Sequence, residues 1–250
     1  MLRPADKEAD FYFWHVGAAL GVFAIALLTV KVLNLDRRVA DLFYDPLIGG
    51  FPLRDHWLVE GIEHVAARNA VIVVAISVLV LWFAAHRIPG LKPIRLVVLF
   101  VFAGMTLSTL AVNAIRSMSS THCPYDLQQY GGKAISARLT GRVGTEQIPG
   151  KCWPSAHASA GFCLFAWYFA ARSIGRRRLS GYLLAGTILF GIALSAGRVA
   201  QGAHFVSHCV WSAVVCWLVT VALYRLMLLR RPPADAVNNF APCKQIGSRP

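Results

Sequence analysis

Apolar residues run along this chain in long blocks separated by short polar stretches. A helix needs about 20 predominantly apolar residues to cross a bilayer. Blocks near that length lie at 13–33, 69–86, 95–114, 157–172, 181–197 and 206–228. In lipid every backbone donor and acceptor has to be satisfied within the segment, which leaves helices as the element for these blocks. The pattern therefore predicts an all-α, polytopic membrane protein, a six-transmembrane-helix bundle over residues 1–229. A cytoplasmic tail at 230–250 reads as disordered. The fourth and fifth blocks are short and carry Ser, Gly or His, as expected where part of a span faces a polar cavity. The block from Phe13 to Leu33 is too long for a signal-peptide core, and no small-residue cleavage site clearly follows it, so it reads as a retained first span. Between the first two spans, HWLVEGIEHVAAR (His56 to Arg68) sets Leu58, Ile62 and Val65 on one helical face. That predicts an amphipathic helix lying on the membrane surface or packed across the mouth of the bundle.

Composition agrees with a lipid solvent. Of 250 residues, 56% are hydrophobic and 15% charged, too few charges to clothe a soluble domain of this size. The net charge of +13 raises nucleic acid as a partner, but that reading needs basic residues gathered on a soluble face. Here they flank apolar blocks, which points to topology and an anionic substrate instead, with no nucleic-acid partner. Arg87, Lys92, Arg95, Arg172, Arg176, Arg177, Arg178, Arg225, Arg230 and Arg231 assign their segments to the cytoplasm, together with both termini. Segments 34–68, 115–156 and 198–205 then face outward. Cys163, Cys209 and Cys216 sit in apolar blocks as small buried hydrophobes, and Cys243 lies in the tail. Cys123 and Cys152 flank one outer loop, where a disulfide is possible but not fixed by spacing.

Three polar clusters fall on that outer side: RSMSSTHCPYDL from Arg116, CWPSAH from Cys152, and RVAQGAHFVSH from Arg198. Ionisable groups this close to a membrane are costly unless paired or functional. Arginine forks match phosphate oxygens two at a time. Ser155 precedes a predicted helix whose first N–H groups could face an anion. Histidines can attack phosphorus or move protons near neutral pH. Each piece also has a plain role: an interfacial anchor for the arginines, a cap or turn for Asp126. His204 and His208 have the i, i+4 spacing of a metal pair, and His122 and His157 could complete such a site. However, Phe205 stands where a zincin-type motif would carry its glutamate.

Taken together, the clusters resemble the signature of the type 2 phosphatidic acid phosphatase superfamily, in a divergent bacterial membrane branch. The family pattern reads K-x6-R-P, P-S-G-H, then S-R-x5-H-x3-D. Arg116 stands at the lysine, Cys123 at the arginine and Pro124 at the proline; Pro154, Ser155 and His157 match the second motif with Ala156 for glycine. Arg198 and His204 match the third at the right spacing, with Gly197 for serine and His208 for aspartate. The likeness extends to the six-span layout.

The resemblance implies a metal- and cofactor-independent phosphatase of the inner membrane, its site facing the periplasm. His204 would be the nucleophile that forms a phosphohistidine, and His157 the acid and then base. Arg116, Arg198, Ser155 and the N–H groups near Ala156 would hold the phosphoryl oxygens. His208 would take the place of the carboxylate that orients the nucleophile, with His122, Cys123 and Asp126 as supporting candidates. Glu146 is the other carboxylate in that outer loop. Expected substrates are membrane lipid phosphates, lipid A or another phosphorylated headgroup foremost, then undecaprenyl pyrophosphate, phosphatidylglycerol phosphate and phosphatidic acid. Three alternatives share these residues: a phosphotransferase, a non-catalytic lipid-phosphate binder or transporter, and a metal-dependent enzyme.

Overall fold

A computed structural model describes residues 10–57, 59–135 and 149–229, without the side chains of residues 60 and 62–64. The termini, with the tail at 230–250, and the loop segment holding Glu146 lie outside the described residues. Among these residues the chain is helical and has no named strand; the two β-bridges, Asp45 with Gly50 and Leu127 with Ala134, are isolated. We number the helices α1 (Asp10–Val32), α2 (Leu35–Phe43), α3 (Ala67–Arg87), α4 (Arg95–Ser117), α5 (Ala156–Phe162), α6 (Phe165–Ser173), α7 (Arg177–Ala200) and α8 (Val206–Tyr224).

Five helices are long and apolar enough to cross a membrane: Asp10–Val32, Ala67–Arg87, Pro89–Ser117, Arg177–Ala200 and Val206–Leu229. The block expected as a fourth span is instead two short helices, α5 and α6. At the junction the ladder shifts from i−4 to i−3 bonds, Leu164 N–H donating to Gly161 O and Trp167 N–H to Leu164 O. The block expected to be short at 181–197 is a full 24-residue helix, α7. Residues Val59–Ala66, where an amphipathic surface helix was expected, form a π-turn that runs into α3 without a break. Leu58 and the side chain of Ile62, which would carry its apolar face, lie outside the described residues.

Burial sorts the helices. α4, α5, α6 and α8 form the core, with Phe100, Met105, Val112, Ala166, Phe169 and Cys216 almost fully enclosed. α1 and α3 lie on the outside and expose Val22, Ile25, Val80 and Phe83, as lipid-facing helices should. Without water to drive helix association in lipid, close backbone approach and interhelical hydrogen bonds have to supply it. α5 crosses α7 at Gly161, where an added Cβ would stand 2.6 Å from Gly191 Cα. At the end away from the three motifs, His15 ties α1 to α6 through Tyr168 Oη at 2.8 Å, and Trp217 Nε1 donates to His15 O at 2.7 Å.

The other end is closed by α2 and the loops. Tyr44, Phe51 and Tyr130 stack edge to edge, and Tyr130 Oη donates to Asp41 at 2.7 Å. Tyr125 N–H donates to Gly202 O at 3.0 Å, while Arg54 covers the Tyr125 ring at 4.3 Å. This cap presses all three motif loops together.

Candidate active site

The third motif owes its geometry to a helix ending. α7 stops in a Schellman turn: Ala203 N–H donates to Arg198 O at 2.9 Å and Gly202 N–H to Val199 O at 2.9 Å. Gly202 takes φ +67°, and a Cβ there would run into the Phe51 ring, so glycine answers both the backbone and the space. The five residues between Arg198 and His204 are this turn. They place the arginine on the last turn of α7 and return His204 N–H to Arg198 O at 3.3 Å. Gln201, itself fully enclosed, accepts from Arg198 Nη1 at 2.7 Å and donates to Arg54 O at 3.2 Å.

α8 starts immediately afterward, and its opening turn has an unexpected cap. The Asp36 carboxylate, from α2, accepts from Ser207 N–H at 2.8 Å and Ser207 Oγ at 2.6 Å. A negative charge at a helix N-terminus is favourable, since it meets the free N–H groups and the positive end of the dipole. Burial raises the Asp36 pKa above its ordinary value, and the Ser207 and Val206 bonds pull it back down.

The first and second motifs close over this turn. Arg116, on the last turn of α4, donates from Nε to Lys151 O at 2.7 Å. Cys152 N–H donates to Thr121 O at 2.9 Å, and Gly150 N–H to Ser120 O at 3.3 Å, so the two loop strands run side by side. Cys123 and Cys152 are joined as a disulfide. Ser155 is the cap of α5: its Oγ accepts from Ala158 N–H at 3.3 Å and meets the Cys209 thiol, and its N–H donates to His208 O at 3.2 Å.

At the centre sits His204, 4% exposed. Burial holds its pKa well below 6.5, and the positive charges or potential charges of His208, Arg198, His157 and Arg116 push it the same way. Those four groups come from α8, α7, α5 and α4, so charges from all three motifs bear on one ring. A neutral imidazole with cations on several sides is suited to receive an anion and attack it. His204 Nδ1 lies 3.5 Å from Cys152 Sγ. The His208 ring stands edge-on to it at 5.9 Å between centroids, and hydrogen-bonds to the Cys152 backbone.

Of the remaining candidates, Cys123 lies beside His204, its Sγ within 4.8 Å of a ring nitrogen. Asp126 Oδ2 accepts from Cys123 N–H at 3.3 Å, which closes the short turn Pro124–Asp126, and no described contact joins it to His204. His122 is buried against Gly150, with Nε2 lacking a partner. Cys123, Cys152 and His204 bring three potential ligand atoms within 4.8 Å, but the two sulfurs are bonded to each other and are not thiolates. Sequence reasoning missed Gln201 and Asp36. The first lay unmarked inside a motif, and the second is 171 residues from the serine it meets. An apolar groove of about 1050 Å³ adjoins this end, between α1, α2, α7 and α8, and reaches Ser195, Val206 and Cys209 beside the site.

Fold and site thus define a helical membrane protein with a buried histidine, flanked by arginines and further histidines, at one end of its bundle. The chain belongs to the PAP2 superfamily, whose family model matches residues 97–232, from α4 past the end of α8. Members of that superfamily are phosphatases, and membership supports a phosphatase acting on lipid-type phosphates. None of the curated proteins and none of the solved structures compared with the chain gives a match.

Proposed function

We propose that this protein is a lipid phosphatase of the inner membrane that works through a phosphohistidine on His204. The observation that supports the reading is one buried imidazole, His204, on which Arg116, His157 and Arg198 all act electrostatically. In this mechanism His204 attacks phosphorus in line with the departing oxygen. His157 protonates that oxygen, then takes a proton from the water that releases phosphate. Arg116 and Arg198 offset charge on the equatorial oxygens, and Ser155 holds the start of α5 so that the Ala156 N–H can face them. Phosphoryl transfer asks mainly for such positioning and charge compensation, which side chains alone can supply.

A lipid substrate fits the groove, whose apolar walls lead away from the site into the bundle. In this reading α5 and α6 in tandem make a sixth crossing, both termini are cytoplasmic, and the site opens to the periplasm. The basic residues Arg87, Arg95, Arg172, Arg176, Arg177 and Arg178 support that orientation. The test is a panel of phospholipids, isoprenoid diphosphates and lipid A assayed for inorganic phosphate in EDTA. Wild type releases phosphate from at least one of them, while folded His204→Ala and His157→Ala release none. Normal turnover by either variant, or activity that EDTA abolishes, contradicts the proposal.

A further inference from the structure

The disulfide occupies a place that the phosphatase mechanism leaves unassigned. In the family pattern described above, an arginine stands where this chain has Cys123, and an aspartate where it has His208. That aspartate holds the nucleophilic ring by its second nitrogen. Here the group next to that nitrogen is sulfur: Cys152 Sγ lies 3.5 Å from His204 Nδ1 and 3.1 Å from Ala203 O. Cys152 also takes the His208 ring on its backbone and follows the residue whose carbonyl holds Arg116. One residue therefore touches all three motifs.

We propose that the Cys123–Cys152 disulfide is the positioning element of the nucleophile, selecting the His204 tautomer with its proton on Nδ1. The inference rests on His204 being the nucleophile. A disulfide sulfur has no proton, so toward Nδ1 it can only accept. Nδ1–H facing sulfur leaves the lone pair on Nε2. Two electrons and two protons from a reductant convert the disulfide into two thiols. The Cys152 thiol can then donate to Nδ1, which favours the opposite tautomer and moves the proton onto Nε2. Reduction also unties the two loop strands, but that effect alone would loosen the site without choosing a nitrogen. The groups around the ring, Arg116 from α4, His157 from α5, Arg198 from α7 and His208 from α8, are donors or cations in their charged forms, and none is a carboxylate. Among the described residues, this sulfur is a hydrogen-bond neighbour of Nδ1.

The experiment compares purified oxidised protein, the same protein in a phosphine reductant, and Cys123→Ala/Cys152→Ala. Two readouts are taken: kinetics on the best lipid phosphate of the panel, and ¹⁵N spectra of histidine-labelled protein, with His204 assigned by loss of its signal in His204→Ala. Reduction lowers kcat about tenfold to a hundredfold, the range seen when a ring's supporting partner is lost, with KM within about twofold. Reoxidation restores it, and the double variant, with no sulfur beside Nδ1, also falls below the oxidised enzyme and ignores the reductant. The ¹⁵N spectra show the Nδ1–H form when oxidised and a shift toward Nε2–H when reduced. An unchanged tautomer overturns the proposal, as does a reduced enzyme that melts earlier but keeps kcat and its pH profile. If the oxidised protein hydrolyses no lipid phosphate, the functional reading fails on its own, and the ¹⁵N spectra still decide the tautomer.

Discussion

His204 is a base made weak by its surroundings, which has a consequence with a definite sign. Its pKa lies below the ordinary 6.5, chiefly through burial and secondarily through His208, Arg198, His157 and Arg116. With the proposed role for His204, the ring is still neutral on the acid side of pH 6.5, and the acid limb of kcat/KM is expected below that value. The same shift acts on stability. The unfolded ring takes a proton near pH 6.5 and the folded ring does not, so stability present above that pH declines as pH falls toward the folded value. A pH–rate profile and urea titrations across pH 4–8 check both. Gln201 gives a second prediction, because it fixes the Arg198 fork to Arg54 O. Gln201→Leu removes a hydrogen bond to a charged group, which is worth about 1.5–3 kcal/mol. We expect kcat/KM to drop about tenfold or more with the fold retained, as read by steady-state kinetics and far-UV circular dichroism. Arg116, His157, Arg198 and His204 stand out in the sequence because they fall in short motifs of fixed spacing. Gln201 was not, since nothing local distinguishes a spacer from a buried amide that braces an arginine. Asp126 looked like a carboxylate in want of a partner until its own loop N–H took it.

Among the elements, the two helix ends on either side of His204 do most to place it. The Schellman turn after α7 explains why five residues separate arginine from histidine, and Gly202 is its visible mark. The start of α8 is different: its cap comes from Asp36 in α2, whose sequence LDRRVADLF reads as an ordinary charged surface helix. Cross-helix capping cannot be read from a local pattern, because the partner is chosen by tertiary packing. Asp36→Ala leaves the Ser207 N–H and Oγ without their acceptor. Loss of a helix cap typically removes about 1 kcal/mol. We expect that much from global stability and added fraying at residues 205–208, measured by urea unfolding and hydrogen exchange; exchange unchanged there would show that Asp36 is not the cap. The break between α5 and α6 was equally illegible, since Gly161 and Cys163 sit in a continuous apolar block and the shift to i−3 bonding occurs beside the close crossing with α7.

For the molecule as a whole, long apolar blocks made the helical membrane bundle readable, and three motifs made its family readable. Their meeting at one end could be inferred only from alternation of the spans. The structure shows what ties these segments to one another: the Cys123–Cys152 disulfide joins the first loop to the second, and Asp36 of α2 caps the turn that follows His204. The central claim is that phosphorus bonds to that imidazole. It is tested most directly by mixing the enzyme with a ³²P-labelled lipid phosphate, quenching within the first turnover under alkaline denaturing conditions that preserve phosphohistidine, and mapping the labelled peptide. The account predicts label on His204, absent in His204→Ala and accumulating when His157→Ala slows its hydrolysis. Label on another residue, or phosphate released in a burst with no labelled protein at any time, would contradict it.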